Sequence, residues 1–223
     1  MCEIAYKWFC PDGGKIIDSF AGGSVRGIVA EKLGYKYTGI DLRQEQIDAN
    51  YKNAEEIGVS PRWICDDSNN MDEHLEDETM DLFFTCPPYA DLEVYSDDPR
   101  DISNMDYDDF LAIYRSIINK ACKKLKQDRF AVIVIGEVRS KDGSYYNFVG
   151  DTVQAFLDAG MKYYNEAILA TSIGTASLRV SRYMKTRKMA KTHQNVLVFY
   201  KGDLSKIKDN FGDIEIADLD NVE

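Results

Sequence analysis

The chain has little positive charge, few metal-ligating side chains and no long apolar run. It carries 27 Lys and Arg against 38 Asp and Glu, a net charge of -11. That balance argues against a general affinity for nucleic acid, so any such function needs a local basic surface. There are two histidines. Neither His74 nor His193 has sequence neighbours that suggest catalysis or metal binding, and His74 reads as a solvated residue in an acidic stretch. The five cysteines are Cys2, Cys10, Cys65, Cys86 and Cys122. They are odd in number, scattered and without a CxxC pair, which points away from a disulfide framework and from a zinc site. No apolar stretch approaches the ~20 residues that span a membrane. The opening "MCEIAYKWFCPDGG" lacks the basic region and apolar segment of a secretion signal. A cytoplasmic protein with reduced thiols, no metal and no membrane attachment is the expectation.

What is present is an alternation. With 223 residues, 44% of them hydrophobic, the chain can bury a core as one domain. "KIIDSFAGG" reads as a strand entering a glycine turn. "SVRGIVAEKLG" follows as a helix with Val25, Ile28, Val29 and Leu33 on one face. "KYTGIDL" is a second strand, and the next segment repeats Ile47, Tyr51, Ala54 and Ile57 at helical spacing. "RWICDD" and "MDLFFTC" are the third and fourth strands. Phe110, Tyr114, Ile117, Ala121 and Leu125 stripe a long helix. "FAVIVIGEV" reads as a central strand buried on both faces, and Val149, Val153, Phe156 and Leu157 form one more helical face. "YYNEAILA" and "NVLVFYKG" close the series around a polar segment. Strands alternating with helices predict a mostly parallel sheet covered on both faces. Residues 1–202 form the expected domain, with a lid loop at about 90–106 and a basic loop at about 171–193. Residues 203–223 are expected to be an acidic tail.

Two stretches carry chemistry. In "DSFAGGS", Asp18 to Ser24, the first strand meets its helix, at the crevice where open α/β sheets bind nucleotide-like ligands. Gly22 and Gly23 allow close approach to the backbone. Asp41 ends the second strand, near the ~20-residue offset at which an acid meets ribose hydroxyls. An acid at Asp18 would repel a pyrophosphate. The pattern favours a ligand with a ribose and an amino group and no phosphate, and S-adenosylmethionine fits. The other stretch is "TCPPY", in which two prolines end the fourth strand and fix a cysteine and a tyrosine.

With both stretches in this order, the chain resembles the amino-group DNA methyltransferases, which methylate N6 of adenine or N4 of cytosine. That family carries a D-x-F-x-G-x-G-like turn, here "DSFAGGS", and later [D/N/S]-P-P-[Y/F/W], here "CPPY". The resemblance runs from about Lys15 to Gly202. It implies a Rossmann-like sheet of seven strands, the last antiparallel. It also implies that Cys86 and the carbonyl of Pro87 accept from the target amine, with Pro88 stiffening the kink and Tyr89 stacking on a flipped base. Asp18 and Phe20 would line the methionine end of S-adenosylmethionine, Asp41 would take the ribose, and Asp66 would take the adenine amine, with Asp67 as its alternative. Cys86 stands where the family has Asp, Asn or Ser, and is near Ser in size. A C5-cytosine mechanism uses a cysteine after its proline, whereas Cys86 precedes both.

The segment between the last two strands holds Arg179, Arg182, Lys185, Arg187, Lys188 and Lys191 and no acid. In so acidic a chain this predicts a phosphate-tracking surface; a solvated loop is the plain alternative. No separate recognition domain is evident, so DNA specificity would come from a short site, a second copy or a partner subunit. Two other functions stay open: methylation of RNA or of another amine or amide, and a catalytically silent partner of this fold.

Overall fold

The computed structural model describes residues 1–89, 95–172, 174 and 176–214; the side chains of Ala176, Ser177 and Arg179 are outside the description. Seven strands form one sheet: β1 (Lys15–Asp18), β2 (Lys36–Asp41), β3 (Arg62–Cys65), β4 (Met80–Thr85), β5 (Leu125–Ile135), β6 (Lys162–Ala170) and β7 (His193–Lys201). Their order is β3-β2-β1-β4-β5-β7-β6. β3, β2, β1, β4 and β5 pair in parallel, while β7 pairs antiparallel to both β5 and β6. The helices are α1 (Cys2–Phe9), α2 (Val25–Lys32), α3 (Gln44–Ile57), α4 (Tyr107–Lys124), α5 (Phe148–Asp158), α6 (Ala176–Lys185) and α7 (Ile207–Asn210). None among the described residues is long and apolar enough to cross a membrane.

The strand alternation divides the core into two layers. Ile17, Phe83, Ala131, Ile133, Leu197 and Phe199 face α4 and α5, whose Phe110, Tyr114, Ile117, Ala121, Phe148 and Phe156 are buried against them. Ile16, Leu82, Phe84, Val132, Val134, Val196 and Val198 face the opposite layer. Each such side chain contributes about 1.5–3 kcal/mol when fully buried. β1 and β4 are central because both of their faces are covered.

Several elements differ from the sequence reading. α1 is an unforeseen helix: Ala5 and Tyr6 are fully buried, and the Tyr6 ring meets Phe84 edge to face at 5.3 Å. α2 turns Gly27 and Ala30 to the sheet and leaves Val25 65% exposed. A Cβ on Gly27 would meet Trp63 at 2.7 Å, so the apolar stripe gave way to a close approach of helix and sheet. On α3, Tyr51 and Ile57 are exposed while Asn50 is buried. α5 is likewise rotated, burying Thr152 and Ala155 and exposing Leu157. The expected basic loop contains α6. The expected acidic tail begins later than residue 203, because α7 and Phe211, packed 5.0 Å from Phe130, belong to the fold. Residues 215–223 lie outside the described residues, as do residues 90–94 of the lid.

Candidate active site

The glycine turn between β1 and α2 is built around a buried ion pair. Asp18 is fully buried, and its Oδ2 accepts from Arg26 Nε at 2.5 Å and from Tyr37 Oη at 2.7 Å. Its Oδ1 accepts from Thr85 Oγ1 at 2.6 Å and from the Phe20 amide at 3.1 Å. Thr85 is the last residue of β4, so one carboxylate ties the turn to the strand that carries "CPPY". Arg26 also donates to the carbonyls of Phe20 and Ala21, which fixes the turn. A charge buried in this way must be paired and fully bonded, and Asp18 is. Asp18 therefore lies behind the crevice and shapes it, rather than lining it as the resemblance implied.

In front of the turn is a cavity of about 300 Å³. Its wall holds Phe20, Gly22, Gly23, Arg26, Asp41, Asp66, Asp67, Cys86, Pro87 and Pro88. Six of the eight expected cofactor and motif residues at the two strand ends (Phe20, Gly22, Gly23, Cys86, Pro87 and Pro88) thus meet with Asp41 and Asp66 around one space. Gly22 has φ +50, and neither it nor Gly23 would bring a Cβ within 4 Å of other atoms. The backbone there is open to a ligand. Asp41 receives the Gly22 amide on Oδ2 at 2.8 Å and the Arg43 amide on Oδ1 at 3.0 Å, which aims it into the crevice wall with acceptor capacity to spare.

Asp66 follows β3. Its Oδ2 pairs with His74 Nε2 at 2.7 Å, and its Oδ1 accepts from the Asp67 amide at 2.7 Å and from Asn70 Nδ2 at 2.9 Å. The bond from His74, with those from Asn70 and the Asp67 amide, holds the Asp66 carboxyl below its ordinary value against the opposing effect of burial. His74 is therefore an anchor for Asp66, a correction to its reading as a solvated residue. Nothing in the linear spacing marked it.

The far wall comes from the segment expected to be a lid. Tyr95, Arg100, Asp101 and Ile102 line the cavity. Asp101 Oδ2 accepts from Ser96 Oγ at 2.8 Å, and Asn104 Nδ2 donates to the Ser96 carbonyl at 2.7 Å, so this segment is a closed turn. Arg26, Arg43, Gln46 and Arg100 are wall residues that the sequence reading did not single out. Arg26 alone had a signal, its place in the first turn of the helix after the glycines.

"CPPY" leaves the end of β4 directly. Cys86 is half-buried in the wall, and burial pushes its thiol up to about 11 although Arg26 opposes the shift. It is a neutral thiol at ordinary pH, which is the wrong state for a covalent nucleophile. Tyr89 is not part of the cavity wall. Its Oη accepts from Gln194 Nε2 at 2.8 Å, and its ring meets Phe148 edge-on at 6.3 Å. Gln194 belongs to β7, so the last strand positions the motif's ring. Glu137, two residues beyond β5, keeps a buried Oε2 without a hydrogen-bond partner among the described residues. Of the basic residues, Arg182 and Lys185 are exposed on α6. Arg187 and Lys191 are exposed beyond it, and Lys188 is half-buried. Only the side chain of Arg179 falls outside the description.

No protein-family model matches the chain, and no curated protein sequence matches it. Solved structures do. TrmN from Thermus thermophilus matches with a TM-score of 0.58 and 13% identity over 86% of this chain; the chain spans 45% of that protein's length. A putative rRNA-methylase from Clostridium thermocellum matches with a TM-score of 0.58 and 14% identity, covering 89% of this chain and 94% of its own. Geranyl diphosphate methyltransferase in complex with S-adenosylmethionine gives 0.59 and 12%, over 90% and 84%. The sheet order, the antiparallel β7 and these likenesses define the Rossmann-like fold of the S-adenosylmethionine-dependent methyltransferases. At such identities the fold is what the likenesses establish.

Proposed function

We propose that the protein is an S-adenosylmethionine-dependent methyltransferase that acts on an exocyclic amine of a flipped base in DNA, N4 of cytosine or N6 of adenine. The observation that carries this reading is that the Cys86-Pro87-Pro88 kink and the Gly22-Gly23 turn are walls of the same cavity. The residues present suit the cofactor: an open glycine cradle, Asp41 for ribose hydroxyls, Asp66 for an adenine amine, and Phe20 and Ile102 as apolar walls. When bound, S-adenosylmethionine would supply a methyl group on a positively charged sulfur.

The chain's own part is to present the amine. An exocyclic amine is a weak nucleophile because its lone pair is shared with the ring. Acceptance of its N–H bonds by the Pro87 carbonyl and the Cys86 sulfur would free that lone pair. The proline pair holds the acceptors without reorganisation, which is where such sites gain most. Sulfur is a poor acceptor, so the Pro87 carbonyl bears most of this duty. Tyr89, held by Gln194 and Phe148, would bound the base pocket. RNA is the second reading, favoured by the name of one structural neighbour, the putative rRNA-methylase.

Cofactor binding is tested by titration calorimetry. S-adenosylmethionine should bind the wild type, and Asp41→Ala should weaken it by about 1–3 kcal/mol, the worth of a charge-assisted hydrogen bond. Absence of binding to the wild type would move the protein to the silent-partner class, and equal affinity in the variant would remove Asp41 from the site.

A further inference from the structure

Beyond Ile135 the chain folds into a small hairpin, bridged antiparallel between Arg139 and Tyr145. The Ser140 amide donates to the Ser144 carbonyl at 2.9 Å, the Gly143 amide to the Ser140 carbonyl at 2.9 Å, and the Tyr146 amide to the Val138 carbonyl at 3.0 Å. Its acid, Asp142, is committed within the turn: Oδ1 accepts from the Ser144 amide and hydroxyl, each at 2.7 Å, and from the Ser140 hydroxyl. The basic segment after α6 comes back over this hairpin. A Cβ on Gly143 would lie 2.6 Å from Lys188 Nζ, so that ammonium rests on the turn. The exposed Tyr145 ring has the Arg139 guanidinium 3.8 Å from its centroid and Lys191 Nζ at 4.9 Å.

Two distant stretches therefore bring Arg139, Lys188 and Lys191 together. None of the three has an acid within ion-pair distance among the described residues, and only Lys188 feels the hairpin's Asp142, at longer range. Gathering cations costs free energy that the ring offsets only in part, at about 0.5–1 kcal/mol for an exposed cation–π contact. An anion between them recovers it. The place also matters: the hairpin starts just past Gly136, where a Cβ would lie 3.5 Å from the Tyr89 hydroxyl, and Lys191 shortly precedes Gln194, which holds that hydroxyl.

We propose that the 139–145 hairpin and the 188–191 segment form one phosphate-binding clamp, with Arg139 and Lys191 ordered by Tyr145, that seats the nucleic-acid backbone beside Tyr89. This rests on the reading of a nucleic-acid substrate. It adds a contact element, the hairpin, that the basic segment's sequence does not reveal.

The test is fluorescence anisotropy with a labelled duplex DNA and an RNA duplex of the same sequence, over a salt series. Arg139→Ala and Lys191→Ala should each lower the log–log salt slope by nearly one, and the double variant by nearly two. Arg139→Lys should keep the slope, and S-adenosylmethionine affinity should be unchanged in all. Which duplex shows the effect identifies the source of the phosphates. A wild type that binds neither duplex would overturn the nucleic-acid reading and the clamp with it. A wild type that binds, with the slope kept in the double variant or lost as fully in Arg139→Lys as in Arg139→Ala, would overturn the clamp alone.

Discussion

Asp18 and Cys86 carry the account at the scale of single side chains, and of the two only Asp18 takes a place other than the expected one. Asp18 is buried, paired with Arg26 and shared with Tyr37 and Thr85. Its removal would leave a 16% exposed guanidinium uncompensated. Asp18→Asn should therefore lower stability by about 3–5 kcal/mol in a urea melt, the range for breaking a buried pair. A loss below about 1 kcal/mol would mean that the pair does not hold the turn. Cys86 is a neutral thiol in the wall. Cys86→Ser should keep activity, because a hydroxyl is the better acceptor. Cys86→Ala should slow turnover without abolishing it, since the Pro87 carbonyl remains. Loss of all activity in both variants would instead point to a covalent mechanism.

At the scale of elements, α2 shows how a helix is positioned by its smallest residues. Gly27 faces Trp63, Tyr37 and Pro61, with a virtual Cβ at 2.7, 3.0 and 3.1 Å. Gly27→Ala raises helix propensity, yet overpacking should win, with a net destabilisation of about 1–3 kcal/mol in thermal or chemical melts. A stabilised variant would show that α2 can shift from the sheet at no cost. The same contact explains what the sequence could and could not tell. The strands and their succession along the chain were legible, because β4 and the second half of β5 are apolar runs and glycines stop the helices. α4 was legible from its apolar stripe, since a long helix against a sheet needs a wide one, although Leu125, expected to end that stripe, instead begins β5. α2 was not, because close packing selects Gly27 and Ala30, which carry no hydrophobic signal. α1 and α6 were missed for related reasons: α1 buries only Ala5 and Tyr6, and on α6 Leu178 is 80% and Met184 is 68% exposed. The site's nearer wall could be read from two motifs, whereas Arg43, Arg100, His74 and the hairpin owe their places to tertiary contact alone.

On the scale of the whole molecule, an acidic body with net charge -11 gathers Arg139, Lys188 and Lys191 near one end of β5 and β7, beside the motif's tyrosine. A uniform negative field repels a polyanion, and a local cluster of cations restores attraction only at that end. The fold is that of the S-adenosylmethionine-dependent methyltransferases, and the cavity and this asymmetry are the grounds on which we propose methyl transfer to a nucleic-acid amine. The central claim is tested most directly by mass spectrometry of nucleosides from DNA incubated with the purified protein and methyl-labelled S-adenosylmethionine. The account predicts label in N4-methylcytosine or N6-methyladenine. Label in 5-methylcytosine, or in RNA or protein and not in DNA, would contradict it.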